Sequence, residues 1–281
     1  MREITPITAR LLPGILCLNE SELTRLAKLI YARAGIVVNV QKKEMLFNRL
    51  SRRVRELNLT TFSQYAALLE SHPEHPEWQV FINALTTNLT SFFRESHHFP
   101  ILAEHARLRP KDYRVWCTAA ATGEEPCSIA MTLDEALGAG TRVWASDIDT
   151  EVLAKAQAGI YRFRDIQMLT QAQKRHYFLR GAGEHYANVK VKPALLASIQ
   201  YQQINLLDEH WPLSQPFDAI FCRNVMIYFD AITQLRLLER FSRLLKPGGL
   251  LFVGHSEHFN HPALPLRLRG QSVYERMEDL R

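Results

Sequence analysis

From about residue 98 onward, short apolar runs that end in polar turns alternate with helical segments. The runs are YRVWCT (113–118), TRVWASD (141–147), IQYQQIN (199–205), FDAIFCRN (217–224) and GLLFVGHS (249–256). Helical periodicity covers 124–138, 150–158 and 231–244 between them. Strands this short and apolar read as buried on both faces, and parallel neighbours need a crossover that a helix can supply. The pattern predicts an α/β fold built on a doubly wound, mostly parallel sheet. The rhythm breaks once, between the helix ending near 158 and the run at 199. That interval contains HYFLRGAGEHYANVKVK, and the alternation in YANVKVK predicts a small inserted antiparallel β-subdomain at about 174–198. Gly181 and Gly183 suit its turn.

Upstream of this region every periodic segment is helical. NESELTRLAKLIYARAG places Leu23, Leu26, Ala27, Ile30 and Ala34 on one stripe, with Asn19 or Ser21 as cap and Gly35 as terminator. A second helix spans 42–57 with Leu46, Leu50, Val54 and Leu57 inward, a third lies near 62–70, and a fourth follows Pro76 with Trp78, Phe81, Ile82 and Leu85. The chain is expected to divide into an N-terminal all-α domain, 1–88, and a sheet domain, 89–281. A length of 281 residues accommodates that pair, and 47% apolar content supports a core for it.

The net charge of +5 favours acidic partners without naming one. Cysteines at 17, 117, 127 and 222 have no metal-ligand spacing and read as reduced thiols; no metal is expected. The segment MREITPITARLLPGILCL lacks the apolar core of a secretion signal, and no apolar run reaches 18 residues. A cytoplasmic location without membrane insertion is the expectation.

In a doubly wound sheet the ligand sits beyond the carboxyl ends of the strands. Glu124, Glu125, Asp147, Asn205 and Asn224 fall there. The turn after the first strand, CTAAATGEEP, has the position of a nucleotide-binding loop yet carries two carboxylates. A pyrophosphate seeks bare amides and positive potential, so the acids disfavour it and favour a ligand with an ammonium or sulfonium. Acids also suit the first turn of any helix, so the pair alone leaves both readings open. Asp147 can accept from two ribose hydroxyls or can serve, with Asp149 and Thr150, to start the next helix. S-adenosylmethionine meets these demands together: a ribose, an adenine and a cationic methionyl end.

Taken together, INALTTNLTSFFRESHHFPIL (82–102), ATGEEPCSIAM (121–131), ASDIDTEVL (145–153), FDAIFCRNVMIYFD (217–230) and KPGGLLFVGHSE (246–257) resemble the bacterial chemotaxis receptor methyltransferases in order and spacing. The likeness runs from about residue 20 to 276. It departs at Cys127, where an aromatic residue is expected, and in the Ala-Ala-Ala-Thr run, differences that bear on packing more than on chemistry. The resemblance implies a methyltransferase-type sheet that carries a methyl group from S-adenosyl-L-methionine to glutamate carboxylates in chemoreceptor cytoplasmic helices. The products would be a glutamyl methyl ester and S-adenosyl-L-homocysteine.

By the same resemblance Asn88, Thr90 and Arg94 line the cofactor from one side. Glu125 and Asp147 do so from the first two strands, and Asn205, Leu206, Arg223 and Asn224 from the next two. Arg94 and Tyr228 are expected to act catalytically, by orienting the reactants. An ionised glutamate needs no general base, so His97 and His98 read as structural or cofactor-adjacent. Lys42, Arg49 and Arg53 recur at spacings of seven and four on the second helix, with Arg52 and Arg55 further round. Such a row is ordinarily a solvated face; for an acidic helical substrate it supplies docking. The resemblance further places the helical domain over the cofactor site, and lets the β-subdomain hold a tethering peptide at the receptor C-terminus by strand addition. The rivals are a methyltransferase for RNA or a small molecule and a non-catalytic cofactor sensor. The basic residues lack the interleaved aromatic platform of a nucleic-acid binder, so no nucleic acid is expected.

Overall fold

The computed structural model describes residues 16–109, 112–138, 141–213 and 215–278. The N-terminal stretch weighed above as a leader lies largely outside them, as residues 1–15. The chain forms two compact units, one running to Arg33 and resuming over Val37–Leu85, the other comprising Ala34–Ile36 and the chain from Thr86 on.

The first unit holds α1 (Glu20–Ala34), α2 (Lys43–Glu56), α3 (Phe62–Ser71) and α4 (Glu77–Leu85). Asn19 and Glu22 cap α1 reciprocally, each side chain accepting the other's backbone N–H at 2.9 and 3.0 Å. Gly35, at φ +69°, ends it. Residues 40–42 wind as a 3-10 turn, so α2 starts one residue later than its periodicity predicts. Leu26, Ile30, Leu46, Leu50, Val54 and Phe62 are fully buried, the apolar stripes meeting as their spacing requires. Glu77 enters this interior as well, accepting from Tyr65 Oη at 2.8 Å and Arg53 Nε at 2.9 Å.

The second unit runs α5 (His98–Arg107), β1 (Arg114–Cys117), α6 (Glu124–Leu137), β2 (Arg142–Asp147), α7 (Thr150–Ala158) and β3 (Ile160–Arg162). It continues with α8 (Gln171–Tyr177), β4 (Phe178–Arg180), β5 (Asn188–Val191), α9 (Pro193–Leu196) and β6 (Ile199–Gln203). It finishes with β7 (Phe217–Cys222), α10 (Ala231–Leu244), β8 (Leu245–Val253), β9 (Leu266–Gly270) and β10 (Val273–Arg276). Seven strands pair in the order β6-β2-β1-β7-β8-β10-β9, with β10 antiparallel to both its neighbours and the rest parallel. Alternate strand residues serve the two faces. Val115, Cys117, Phe221 and Phe252 pack with α5 and α6, whereas Trp116, Ile220 and Val253 pack with Leu237, Leu238 and Phe241 of α10. Burial on both faces is why these strands read as continuous apolar runs.

Three details differ from the sequence reading. The Lys-Pro-Gly-Gly segment does not stand between helix and strand: α10 stops at Leu244, and Pro247–Gly249 lie within β8. The strand begins early because Leu245 pairs with Phe217, and the glycines absorb the register shift before Ala219 meets Leu250. The β9–β10 hairpin extends the sheet beyond the five expected strands. The inserted sheet has the order β3-β5-β4, so residues 160–162, ahead of the expected ribbon, supply one of its edges. Gly181 belongs to its β4–β5 turn, where a Cβ would lie 2.0 Å from His185 O.

Candidate functional site

The strand order reverses at β1: β2 and β6 follow it on one side, β7 and β8 on the other. A crevice at such a switch point is the default ligand site of an open α/β sheet. The turn leaving β1 is pinned from both neighbours, Thr118 N–H donating to Phe221 O at 2.9 Å and Ala120 N–H to Ser146 O at 2.8 Å. Two left-handed residues, Ala121 (φ 45°) and Gly123 (φ 99°), then turn the chain into α6. A Cβ on Gly123 would stand 2.6 Å from Tyr161 Oη and 2.8 Å from Ala156 Cβ. The Tyr161 hydroxyl holds the turn by donating to Thr122 O at 2.9 Å.

Asp147, the last residue of β2, is buried and joins the two turns. Oδ2 accepts from Ala121 N–H at 2.8 Å and Oδ1 from Asp149 N–H at 3.0 Å. The cap of α7 is Asp149, whose Oδ1 accepts from Glu151 and Val152 N–H, so Asp147 is not a simple helix cap. Burial pushes the Asp147 carboxyl up to about 6 against the pull of the amide donors. Ile148 N–H adds a third backbone donor to this carboxylate, and the lone-pair capacity that remains is what a ribose hydroxyl would meet.

Glu125 is buried in the first turn of α6, accepting from Cys117 Sγ at 3.4 Å with Oε2 3.0 Å from Arg223 Nη1. Burial raises its pKa while Arg223 opposes the rise. Glu124 instead accepts from the Thr122 hydroxyl at 2.6 Å. Arg223 also approaches Glu95 Oε2, at 3.4 Å from Nη2, and donates to the backbone carbonyl of Arg94. The other Glu95 oxygen faces His255 Nδ1 at 3.1 Å and Asn224 Nδ2 at 3.2 Å. Burial disfavours a charge on Glu95, yet Arg223 and the bonds from His255 and Asn224 hold its pKa near 2. Phe93, Glu95, Ala121 and Asn224 all take left-handed backbone, a concentration of strain found where function constrains the chain.

The remaining sequence-derived residues lie on loops about the same strand ends. Asn88 donates to Asp149 Oδ2 at 2.8 Å, next to Asp147, and Thr90 is half-buried. Arg94 Nη1 donates to Leu89 O at 2.8 Å. Asn205 Oδ1 accepts from Leu207 N–H at 3.0 Å, and buried Leu206 is fixed through its carbonyl by Arg240 at 3.0 Å. Tyr228 is half-buried on the 3-10 turn 226–228 after Asn224. Sequence reasoning passed over Glu257, whose buried carboxylate accepts the N–H groups of Asn224, Gly254 and Ile227 and so ties that loop to the end of β8. Its place just beyond GLLFVGHS could have revealed it; Glu95 carries no comparable local signal.

His98 is fully buried, and its Nε2–H donates to Gln271 O at 2.8 Å. Burial, with Arg223 nearby, depresses its pKa to about 4, and Nδ1 is sealed from solvent. Among the described residues, Glu95, His97 and His98 bring potential ligand atoms within 4.8 Å of one another.

On the helical unit, the basic residues of α2 and of the 3-10 turn before it divide by task. Arg53 is bound to buried Glu77, Arg49 Nη1 donates to Leu85 O at 3.1 Å, and Lys42 Nζ to Val37 O at 3.3 Å. Arg52 and Arg55 face solvent, Arg52 beside Glu56 at 2.7 Å.

Residues 88–274 match the family model described as CheR methyltransferase, SAM binding domain, and residues 21–86 the CheR methyltransferase all-alpha domain. A chemotaxis protein methyltransferase of Klebsiella aerogenes is 61% identical over 260 residues, 92% of this chain and 90% of that one. The chemotaxis protein methyltransferase of Escherichia coli K12 is 54% identical over 94% of this chain and 93% of its own length. Chemotaxis protein methyltransferase 2 of Pseudomonas aeruginosa is 48% identical over 87% and 89%. The acceptor pair on Asp147 and the acidic Glu125 fit the ribose and the cationic end of S-adenosylmethionine.

Proposed function

Because the chain belongs to the CheR family of S-adenosylmethionine-dependent chemotaxis methyltransferases, we propose that it methylates glutamate side chains in the cytoplasmic helices of chemoreceptors. The observation that carries the cofactor part of this reading is the acid pair beside the switch point, Glu125 at the start of α6 and Asp147 at the end of β2, both buried. Asp147 would take the ribose hydroxyls and Glu125 the ammonium. Asn88, Thr90, Asn205, Leu206, Arg223 and Asn224 would complete the lining. When bound, the cofactor supplies an electrophilic methyl group on a sulfonium and leaves as S-adenosyl-L-homocysteine.

A glutamate is ionised at neutral pH, so its oxygen attacks without losing a proton to the enzyme. The remaining task is orientation with water excluded. Tyr228 offers one neutral hydrogen bond, and Arg94 has N–H donors beyond the one given to Leu89 O. Neither should grip the carboxylate tightly, because its charge falls as the bond forms and strong pairing would favour the ground state. His98 is in no position to take a proton, its Nε2–H bonded to Gln271 and its Nδ1 buried.

Arg52 and Arg55 would meet the acidic receptor helices, with Lys42, Arg49 and Arg53 contributing field while also serving their own fold. The edges β3 and β4 of the inserted sheet would take a receptor tail peptide by strand addition, raising local concentration. Among the described residues no helix is long and apolar enough to cross a membrane. We place the protein in the cytoplasm, at receptor clusters. Mass spectrometry of a receptor cytoplasmic fragment incubated with S-adenosylmethionine is expected to map methyl groups to glutamates and none to glutamine replacements. Modification of RNA or of a small molecule instead would overturn the acceptor assignment, and tight cofactor binding without any transfer would favour a sensor.

A further inference from the structure

We propose that Glu95 keeps Glu125 available to the cofactor's ammonium, by sharing and then taking over the Arg223 guanidinium; this rests on the reading that the crevice binds S-adenosylmethionine. Arg223 has a fully buried side chain between two carboxylates, 3.0 Å from Glu125 and 3.4 Å from Glu95. Within this triad two acids share one guanidinium, a surplus of one negative charge that a cationic ligand would meet, partly offset by the field of Arg94 on Glu125. Without Glu95, the Glu125–Arg223 pair would be neutral, and an incoming ammonium would compete with a buried guanidinium for a single carboxylate.

The contacts are arranged for exchange. Nε and Nη1 of Arg223 and Oε2 of Glu95 have no hydrogen-bond partner, so both ion pairs rest on proximity without aligned hydrogen bonds. The one aligned bond from Arg223 goes to the Arg94 carbonyl, which belongs to the same segment as Glu95. Glu95 itself cannot drift toward solvent, since Asn224 and His255 hold its other oxygen and its backbone is fixed at φ 53°. A short swing of the guanidinium toward Glu95 would therefore release Glu125 with little loss of pairing. The neighbouring His98 adds no competing charge, its ring remaining neutral with Nδ1 3.9 Å from Glu95 Oε2. Glu95 is a positioning residue in this scheme, acting through Arg223.

The test is calorimetric titration of the full chain, wild type and Glu95→Gln, with two ligands. S-adenosylhomocysteine carries the ammonium, whereas 5′-methylthioadenosine keeps the adenosine and thioether without it. The substitution should raise the Kd of the first by about tenfold or more and change the second by less than about threefold. Equal weakening of both would make Glu95 a structural residue only, and weakening of neither would remove it from the site. A wild type that binds neither ligand would defeat the cofactor reading, and this proposal with it. Should Glu95→Gln fail to fold, the wild-type structure with S-adenosylhomocysteine decides: Arg223 should lie closer to Glu95 than to Glu125. Arg223 still nearest Glu125, with the ammonium elsewhere, would refute the exchange.

Discussion

Replacing Asp147 by alanine should separate stability from binding. The change strands the Ala121 and Asp149 N–H groups, each worth about 1–3 kcal/mol if left unsatisfied. It also removes a buried carboxylate whose pKa stands near 6, and at pH 7 that burial itself costs about 3 kcal/mol. The two terms oppose each other, so the net loss of stability should stay within about 3 kcal/mol, less where water reaches the amides. Binding has no such offset. A ribose hydroxyl bond to a carboxylate, at about 1.5–3 kcal/mol, predicts a Kd for S-adenosylhomocysteine raised roughly tenfold or more. Because the folded-state pKa is raised, the native protein holds this proton more tightly than the unfolded chain. The related stability is present at low pH and lost as pH rises through about 6. The stability gap between wild type and D147A should therefore widen by about 1 kcal/mol from pH 7 to pH 5. Urea melts at both pH values and calorimetry at pH 7 provide the readouts. A folded D147A that binds within about threefold of wild type would refute the role given to this carboxylate.

Gly123→Ala should cost about 1–2 kcal/mol for its left-handed backbone and about 1–3 kcal/mol for the contact with Tyr161 and Ala156, lowering the thermal midpoint. Tyr228→Phe removes one neutral hydrogen bond, so kcat should fall about 2–10-fold with the Kd for S-adenosylhomocysteine unchanged. Reversing both Arg52 and Arg55 to glutamate should raise the receptor KM, most at low salt, and leave kcat within about twofold. Arg53→Ala should instead act on stability, because it leaves Glu77 charged in the helical interior, with about 3 kcal/mol lost in a denaturant melt.

What could be read in the sequence follows the range of the interactions involved. The helices 150–158 and 231–244 are legible because periodicity and the capping residues Asp149 and Asp230 are local. The turn at 118–125 is legible for the same reason, its acids and small residues being contiguous. The start of β8 is not, because Pro-Gly-Gly ordinarily ends structure and only the pairing of Leu245 with Phe217 carries the strand through it. The β9–β10 hairpin is polar and mostly exposed on β9, so its pairing leaves little apolar signal. The amides of Ala121 and Asp149 converge on Asp147 across two turns, and the α7 cap is Asp149, an arrangement that the local sequence of Asp147, Asp149 and Thr150 does not specify. Glu95 and Glu257 matter through partners far along the chain: Asn224 and Arg223 for the first, Asn224 and Ile227 for the second. The row Lys42, Arg49 and Arg53 is uniform in spacing, whereas burial of Glu77 assigns Arg53 a structural duty on α2 and Lys42 falls in the turn before it.

The most direct test of the account supplies methyl-labelled S-adenosylmethionine to the full chain with a chemoreceptor cytoplasmic fragment, glutamate and glutamine forms side by side. Label is expected on the glutamate form alone, released by mild alkali as methanol, the signature of a carboxyl ester. Label that survives alkali, or that appears equally on the glutamine form, would contradict it.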